Sequence, residues 1–173
     1  RPPFWGSRVV SDIDLEQVYP FINKVALYRG QWQFKKGAMT DGQFEAQLQD
    51  QVVPIFERLK ERCAREGILR PAVVYGYFPC NSRGDHLIIW DPADPGARRE
   101  VERFTFPRQS SRKRLCISDF FRPEESGEID VIGMHCVTMG SEATAAAQRL
   151  FAANDYAEYL YLHGMGVECA EAL

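Results

Sequence analysis

A chain of 173 residues, 45% hydrophobic and 26% charged, is long enough for one domain that buries roughly 70% of its unfolded surface, so a core needs neither disulfides nor a structural metal. A net charge of −3 excludes wholesale nucleic-acid binding, which requires a basic balance or a concentrated basic face. No signal-peptide pattern occurs, no apolar run approaches the roughly 18 residues of a membrane span, and five cysteines (63, 80, 116, 136 and 169) without paired spacing read as free thiols of a reducing, cytoplasmic compartment.

The chain opens on RPPFWGSR, an arm over residues 1–11 whose prolines exclude helix and whose Phe4 and Trp5 are expected to pack onto the body. Ser11 or Asp12 is placed to cap a short helix carrying Leu15, Val18 and Tyr19, with Pro20 bending its end before Asn23. In VALYRGQWQFKKG the periodicity leaves helix and irregular structure undecided. Thr40 and Gln43 form a capping box, and Phe44, Leu48, Val52, Ile55, Leu59 and Cys63 recur at helical spacing. Pro54 should kink this helix and Gly67 should end it.

The stretch from Ala72 to Asp91 organises the rest of the chain. Its β-branched and aromatic run breaks at Pro79, and Asn81, Ser82, Gly84 and Asp85 read as a turn before a second strand from Leu87 to Trp90. A well-capped turn and a functional surface account equally for the chemistry crowded there. DPADPGARRE is a polar turn, and Val101 to Phe106 is a third strand. RQSSRKR, from Arg108 to Arg114, is the basic run of the chain. It lacks interleaved aromatics and reads as a solvated loop, with docking of an acidic protein through Arg112 and Arg114 as the alternative. LCISDFF is a further apolar segment, RPEESGE a turn, and Val131 to Thr138 a strand. A helix from Glu142 to Ala153 is expected to turn Leu150 and Phe151 inward. In the last helical region, Asp155 to Leu173, the small residues Gly164, Gly166 and Ala170 admit either a close backbone or a flat ligand.

No catalytic constellation emerges. His86, His135 and His163 lack metal-ligand spacing, and neither a nucleophile elbow nor a phosphate loop is present. A self-contained enzyme is therefore disfavoured, with no catalytic residue and no metal assigned. Arg1 in place of an initiator methionine and a helix running to Leu173 suggest a piece of something longer.

Taken together, YFPCNSRGD, the FPRQ at Phe106 to Gln109, LCISDFF followed by IDVIGMHCVT, and the closing LHGMGVECAEAL resemble the C-terminal activation domain of cobalamin-dependent methionine synthases, from about Asp12 onward. The resemblance implies an α+β fold, a twisted antiparallel β-meander flanked by helices, in a single domain over 1–173 whose first 11 residues form an arm or interdomain linker. It implies a module that binds S-adenosylmethionine and presents its methyl group to cobalamin held by a neighbouring domain of the same parent. A flavodoxin-type partner would supply the electron that reduces cob(II)alamin, and the module would not be catalytic alone. Where the family places an aspartate beside S-adenosylmethionine, this chain has Asn23, which can accept a hydrogen bond but supplies no charge. The family's helix glutamate falls on Glu171 after a one-residue adjustment. The family's later Arg-x-x-x-Gly-Tyr-Pro-Ala-Cys-Pro segment does not occur before Leu173, so the C-terminal part of the family domain is expected to be missing. The competing reading is a non-catalytic interaction or capping domain that contacts the cobalamin domain or the redox partner without binding S-adenosylmethionine.

Overall fold

The computed structural model describes residues 2–110 and 112–173. Helices precede and follow an antiparallel meander, the α+β class expected. The five strands are β1 (Gly6–Val10), β2 (Ala72–Arg83), β3 (His86–Trp90), β4 (Glu100–Thr105) and β5 (Asp130–Thr138); the helices are α1 (Leu15–Val18), α2 (Asp41–Gln47), α3 (Val53–Glu66), α4 (Ser141–Ala152) and α5 (Tyr156–Ala172). Contacts divide the chain into two units, one of the residues up to Val9 with Val74–Cys136, the other of Val10–Val73 with Val137–Leu173.

In the first unit the sheet runs in the order β1-β2-β3-β4, and β5 also pairs with β2. The long β2 is therefore the hub. It does not break where the sequence pattern placed the turn: the strand continues through Pro79, Asn81 and Ser82 to Arg83, and only Gly84 and Asp85 form the hairpin turn, with Gly84 left-handed at φ +59. Pro79 is accommodated because the β2–β3 ladder starts one residue later, at Cys80↔Ile89, so its missing N–H interrupts no pair of that ladder. Asn81 is not a turn residue but a buried staple. Its Oδ1 accepts from Trp90 Nε1 at 2.9 Å, and its Nδ2 donates to the carbonyls of Arg122 (3.1 Å) and Glu128 (2.8 Å). Cys80, Leu87 and Ile89 pack with Phe78, Phe106, Phe121, Ile132 and Met134 as the core of this unit.

The arm contributes a strand as well as an anchor. Phe4 sets its ring edge-on to Tyr75 and Tyr77 at 5.7 and 5.2 Å, and β1 comes so close to β2 that a Cβ on Gly76 would lie 2.3 Å from the Gly6 carbonyl oxygen. β4, at the end of the strand order, is exposed throughout and carries Glu100, Glu102 and Arg103, charges that discourage pairing with another chain.

Arg108 clips the loops of this unit together. Its guanidinium donates to Asp85 Oδ1 (2.7 and 2.9 Å), to both oxygens of Asp119 (2.7 Å each) and to the Arg114 carbonyl (2.6 Å). The hydrogen bonds from Arg108, then that from the Cys116 N–H, hold the Asp119 carboxyl down at about 2. Since the folded value lies below the ordinary aspartate value of about 3.9, the clip's contribution is complete above that pH and is lost as pH falls through about 2. A carboxyl-carbon NMR titration should place the Asp119 midpoint near 2, with the surrounding loop signals unchanged down to about pH 4; a midpoint near 4 would mean that Arg108 does not hold it.

The second unit is helical. Asp14, not Ser11 or Asp12, caps α1, its Oδ1 accepting from Glu16 N at 3.0 Å; Asp12 instead takes a left-handed φ of +56. Thr40 and Gln43 form the expected capping box on α2, and the left-handed Gly67 closes α3 by donating to the Cys63 carbonyl. The kink expected at Pro54 takes the form of a π-helical turn, Leu48–Val52, inserted before α3. Widening the turn ahead of a proline reroutes the backbone bonds that the missing N–H would disrupt. A second π-helical turn, Ala26–Gln31, occupies the undecided segment. The core gathers Leu27, Trp32, Val52, Phe56, Leu59, Cys63, Leu162, Met165 and Cys169. Leu150 packs against it, but Phe151 does not turn inward: it is 54% exposed, its ring against Tyr156 and Tyr159.

All five cysteines are free, and only Cys136 is exposed. Burial pushes the Cys63 thiol up to about 11 and those of Cys80 and Cys169 to about 12, which makes them packing groups rather than nucleophiles.

Candidate functional site

The residues that the sequence pattern singled out fall in two places. Asn23 and Glu171 belong to the helical unit, Arg112 and Arg114 to the sheet unit.

Asn23 is exposed, and its side-chain oxygen is already engaged, accepting from the N–H groups of Val25 and Ala26 at 3.1 Å each. It initiates the π-helical turn Ala26–Gln31. This corrects the expectation that the amide oxygen is available to a ligand; the Nδ2 donor is the group left for one. Glu171 lies exposed in the last turn of α5, and no hydrogen bond joins it to Asn23 among the described residues.

The carboxylate that does reach the turn after Asn23 is one that the sequence pattern did not single out. Glu168, one helical turn before Glu171, is only 6% exposed and accepts from Gln31 Nε2 at 3.3 Å. On the same face of α5 the Tyr161 carbonyl accepts from Trp32 Nε1 at 3.0 Å, and Gly164 meets Gln31 and Trp32 so closely that a Cβ would lie 2.7 Å from Gln31 Cβ. Residues 161, 164 and 168 thus form one stripe, spaced by three and four, that seats α5 on the turn. The signal available in the sequence was a lone glutamate among small and apolar residues in GMGVECA. A bidentate pair between Arg58 and Glu158, at 2.9 and 2.5 Å, further fixes α5 to α3.

Gly164 therefore serves close helix packing, whereas Gly166 and Ala170 lie at an open surface. They line a cleft of about 480 Å³ with Thr138, Met139 and Gly140 at the end of β5, Ala143 and Ala147 on α4, and the stacked rings of Tyr159 and His163 (5.5 Å, 11°). Small residues keep the walls apart, and the ring pair offers a flat, partly apolar surface. Among the described residues no group of three or more His, Cys, Asp and Glu is placed to hold a metal ion.

In the sheet unit Arg112, Lys113 and Arg114 are exposed, with no carboxylate partner among the described residues. Arg108 and the Gln109 N–H tie the ends of their loop to the Arg114 and Leu115 carbonyls. Beside them LCISDFF forms a short 3-10 turn that buries Cys116 and Ser118 and leaves Ile117 and Phe120 55% and 76% exposed.

A helical unit with a small-walled cleft, joined in one chain to an antiparallel meander with a clipped basic loop, defines the class: an α+β module. Residues 14–173 match the family model described as the vitamin B12 dependent methionine synthase activation domain, and the chain belongs to that family. It is 38% identical to a methionine synthase of Mycobacterium tuberculosis and 36% identical to one of Mycobacterium leprae, over 99% of this chain in both cases but 15% of each relative's length. The chain thus spans about a seventh of the curated relatives it matches. Among solved structures, a MetH reactivation domain bound to AdoHcy superposes with a TM-score of 0.77 at 24% identity, covering 98% of this chain and 53% of that one, which bears on the fold.

Proposed function

We propose that this chain is the S-adenosylmethionine-binding reactivation module of a cobalamin-dependent methionine synthase, a single domain with its first 11 residues leading in from the rest of the parent. The observation that carries the reading is the family match over residues 14–173; the AdoHcy held by the structural neighbour adds a ligand of the right chemistry. S-adenosylmethionine, when bound, supplies an electrophilic methyl group. That methyl group, together with one electron from a flavodoxin-type donor, would serve the reductive methylation of cob(II)alamin held by the neighbouring domain, with S-adenosylhomocysteine as the leaving product. This chain's own residues bind and orient.

Two side chains are assigned to the amino-acid end of such a ligand. Because the Asn23 oxygen is spent on two backbone N–H groups, its Nδ2 is the donor for the ligand's carboxylate, and the exposed Glu171 carboxylate is the partner for its ammonium group. A cytoplasmic parent is the compartment in keeping with five free thiols in this chain; no helix among the described residues is long and apolar enough to cross a membrane. Isothermal titration of S-adenosylmethionine into this chain and into the parent extended past Leu173 tests the reading. Binding by the extended form, weakened by Asn23→Ala and by Glu171→Gln, is the expected result.

The second reading, a docking domain that holds no small ligand, is favoured by one feature, the exposed cations of Arg112 and Arg114, without a carboxylate partner among the described residues, beside exposed Ile117 and Phe120. Charge complementarity with an acidic redox protein predicts association that falls steeply with salt. Reversing both charges to Glu should weaken flavodoxin binding at low ionic strength by about tenfold or more, and unchanged association would exclude this loop.

A further inference from the structure

Glu168 is buried among Leu162, Met165 and Cys169, and its one hydrogen bond among the described residues is the 3.3 Å contact from Gln31 Nε2. A buried carboxylate so sparsely partnered contributes little to stability, and an apolar side chain of similar size would pack at least as well. What a buried polar group can supply instead is register, by fixing which turn of a helix faces which neighbour. The end of α5 depends on that. Met165, Cys169, Ala170, Ala172 and Leu173 make apolar contacts that a helix can exchange by sliding. Among the described residues, Gln31–Glu168 is the side-chain hydrogen bond that joins residues 165–173 to another element.

Gln31 closes the π-helical turn Ala26–Gln31, and Asn23 opens it by accepting from the N–H groups of Val25 and Ala26. Leu27 N donates to the Asn23 carbonyl at 2.9 Å, and Trp32 N donates back five residues to the Leu27 carbonyl. Residues 23–32 are thus one hydrogen-bonded body. Widened turns of this kind are rare and recur at functional sites. Here the turn is followed by Gln33 at a left-handed φ of +64, whose side chain donates to the Gly30 carbonyl. α5 packs on this turn and also on the 3-10 turn Tyr19–Phe21 ahead of Asn23, so Asn23 lies between two segments that both touch the helix. Glu171 continues the stripe of residues 161, 164 and 168. A slip of α5 by one residue would swing Glu171 by about 100° around the helix axis and carry it about 1.5 Å along it.

We propose that Gln31 and Glu168 are a positioning pair: their hydrogen bond sets the register of α5 on the turn, and with it the placing of Glu171 relative to Asn23 at the amino-acid end of S-adenosylmethionine. This inference rests on the function proposed above. The pair acts through Asn23 and Glu171 and touches no ligand itself. A swap tests it. Gln31→Glu alone opposes two carboxylates, whereas Gln31→Glu with Glu168→Gln restores one donor and one acceptor in reversed order. In calorimetry of S-adenosylmethionine with the parent protein extended past Leu173, Gln31→Glu should bind about tenfold more weakly. The double variant should return to within about twofold of wild type, and Glu168→Gln alone, which keeps an acceptor for Gln31, should bind as wild type. A glutamate that touched the ligand's ammonium group would not be rescued, because the swap moves its charge off α5. If Gln31→Glu fails to fold, Gln31→Met removes the donor without adding a charge and should show the same loss. Wild-type affinity in Gln31→Glu or Gln31→Met, or a loss that the swap does not restore, overturns the positioning role and leaves the S-adenosylmethionine reading standing. No heat from the wild-type parent overturns that reading, and this inference with it.

Discussion

Asn81→Leu should destabilise the chain by about 2–3 kcal/mol, because it removes hydrogen bonds to three partners, stranding the buried Trp90 N–H and leaving two carbonyls only their bonds from the Ser82 N–H and the Ser126 hydroxyl. The three are the Trp90 N–H and the carbonyls of Arg122 and Glu128. They lie on β3 and on the segment leading into β5, so one amide ties β2 to two other parts of the sheet unit. Urea unfolding followed by tryptophan fluorescence measures the effect directly, since Trp90 is one of the partners. A loss below about 1 kcal/mol, in the range of an ordinary surface substitution, would show that the amide is not a staple. Asn81→Asp is informative beside it. It keeps an acceptor for Trp90 but removes the donors to the two carbonyls and buries a charge, so it should be at least as damaging.

The second large effect concerns the seat of α5. Gly164→Val places branched carbons where even a Cβ would come within 2.7 Å of Gln31 Cβ and 3.0 Å of Trp32. Moving α5 away disturbs the Trp32–Tyr161 and Gln31–Glu168 hydrogen bonds as well. Overpacking of this kind costs about 2–3 kcal/mol. Gly166→Ala, two residues along the same helix, is the control: its Cβ would meet only Leu69 Cδ2 at 3.7 Å. It should be neutral or stabilising by up to about 1 kcal/mol through helix propensity. Thermal unfolding of the two variants separates them, and a Gly164→Val loss as small as that of Gly166→Ala would mean that Gly164 is not chosen for close packing.

The range of each force decides which features were legible in the sequence. Thr40, Gln43 and Gly67 were legible because capping is settled within four residues and depends on the side chains themselves. Asn81 and Ser82 read as turn formers, which is their local preference; Arg122, some 40 residues on, supplies the carbonyl that makes Asn81 a strand residue, and no local pattern announces it. The π-helical turns escaped for a related reason. Their bonds shift by one residue, so the apolar spacing around Leu27 and Leu48 fits no single period. Phe151 was expected inside because it follows Leu150, yet the helix end carries it past the core onto Tyr156 and Tyr159. At the candidate site, Asn23 was found only through the resemblance to a family, and its hydrogen bonds alter the role it can play. Glu168 was passed over in favour of Glu171, although a glutamate flanked by Val167 and Cys169 carries the pattern of a buried, partnered acid.

The central claim is that this chain holds a sulfonium methyl donor by its amino-acid end, with Asn23 donating and Glu171 accepting. Calorimetric titration of S-adenosylmethionine into the parent protein extended past Leu173 is its most direct test. Saturable heat that drops about tenfold in each single variant, Asn23→Ala and Glu171→Gln, is what the account predicts. No heat from the extended protein, or full affinity in both variants, would contradict it.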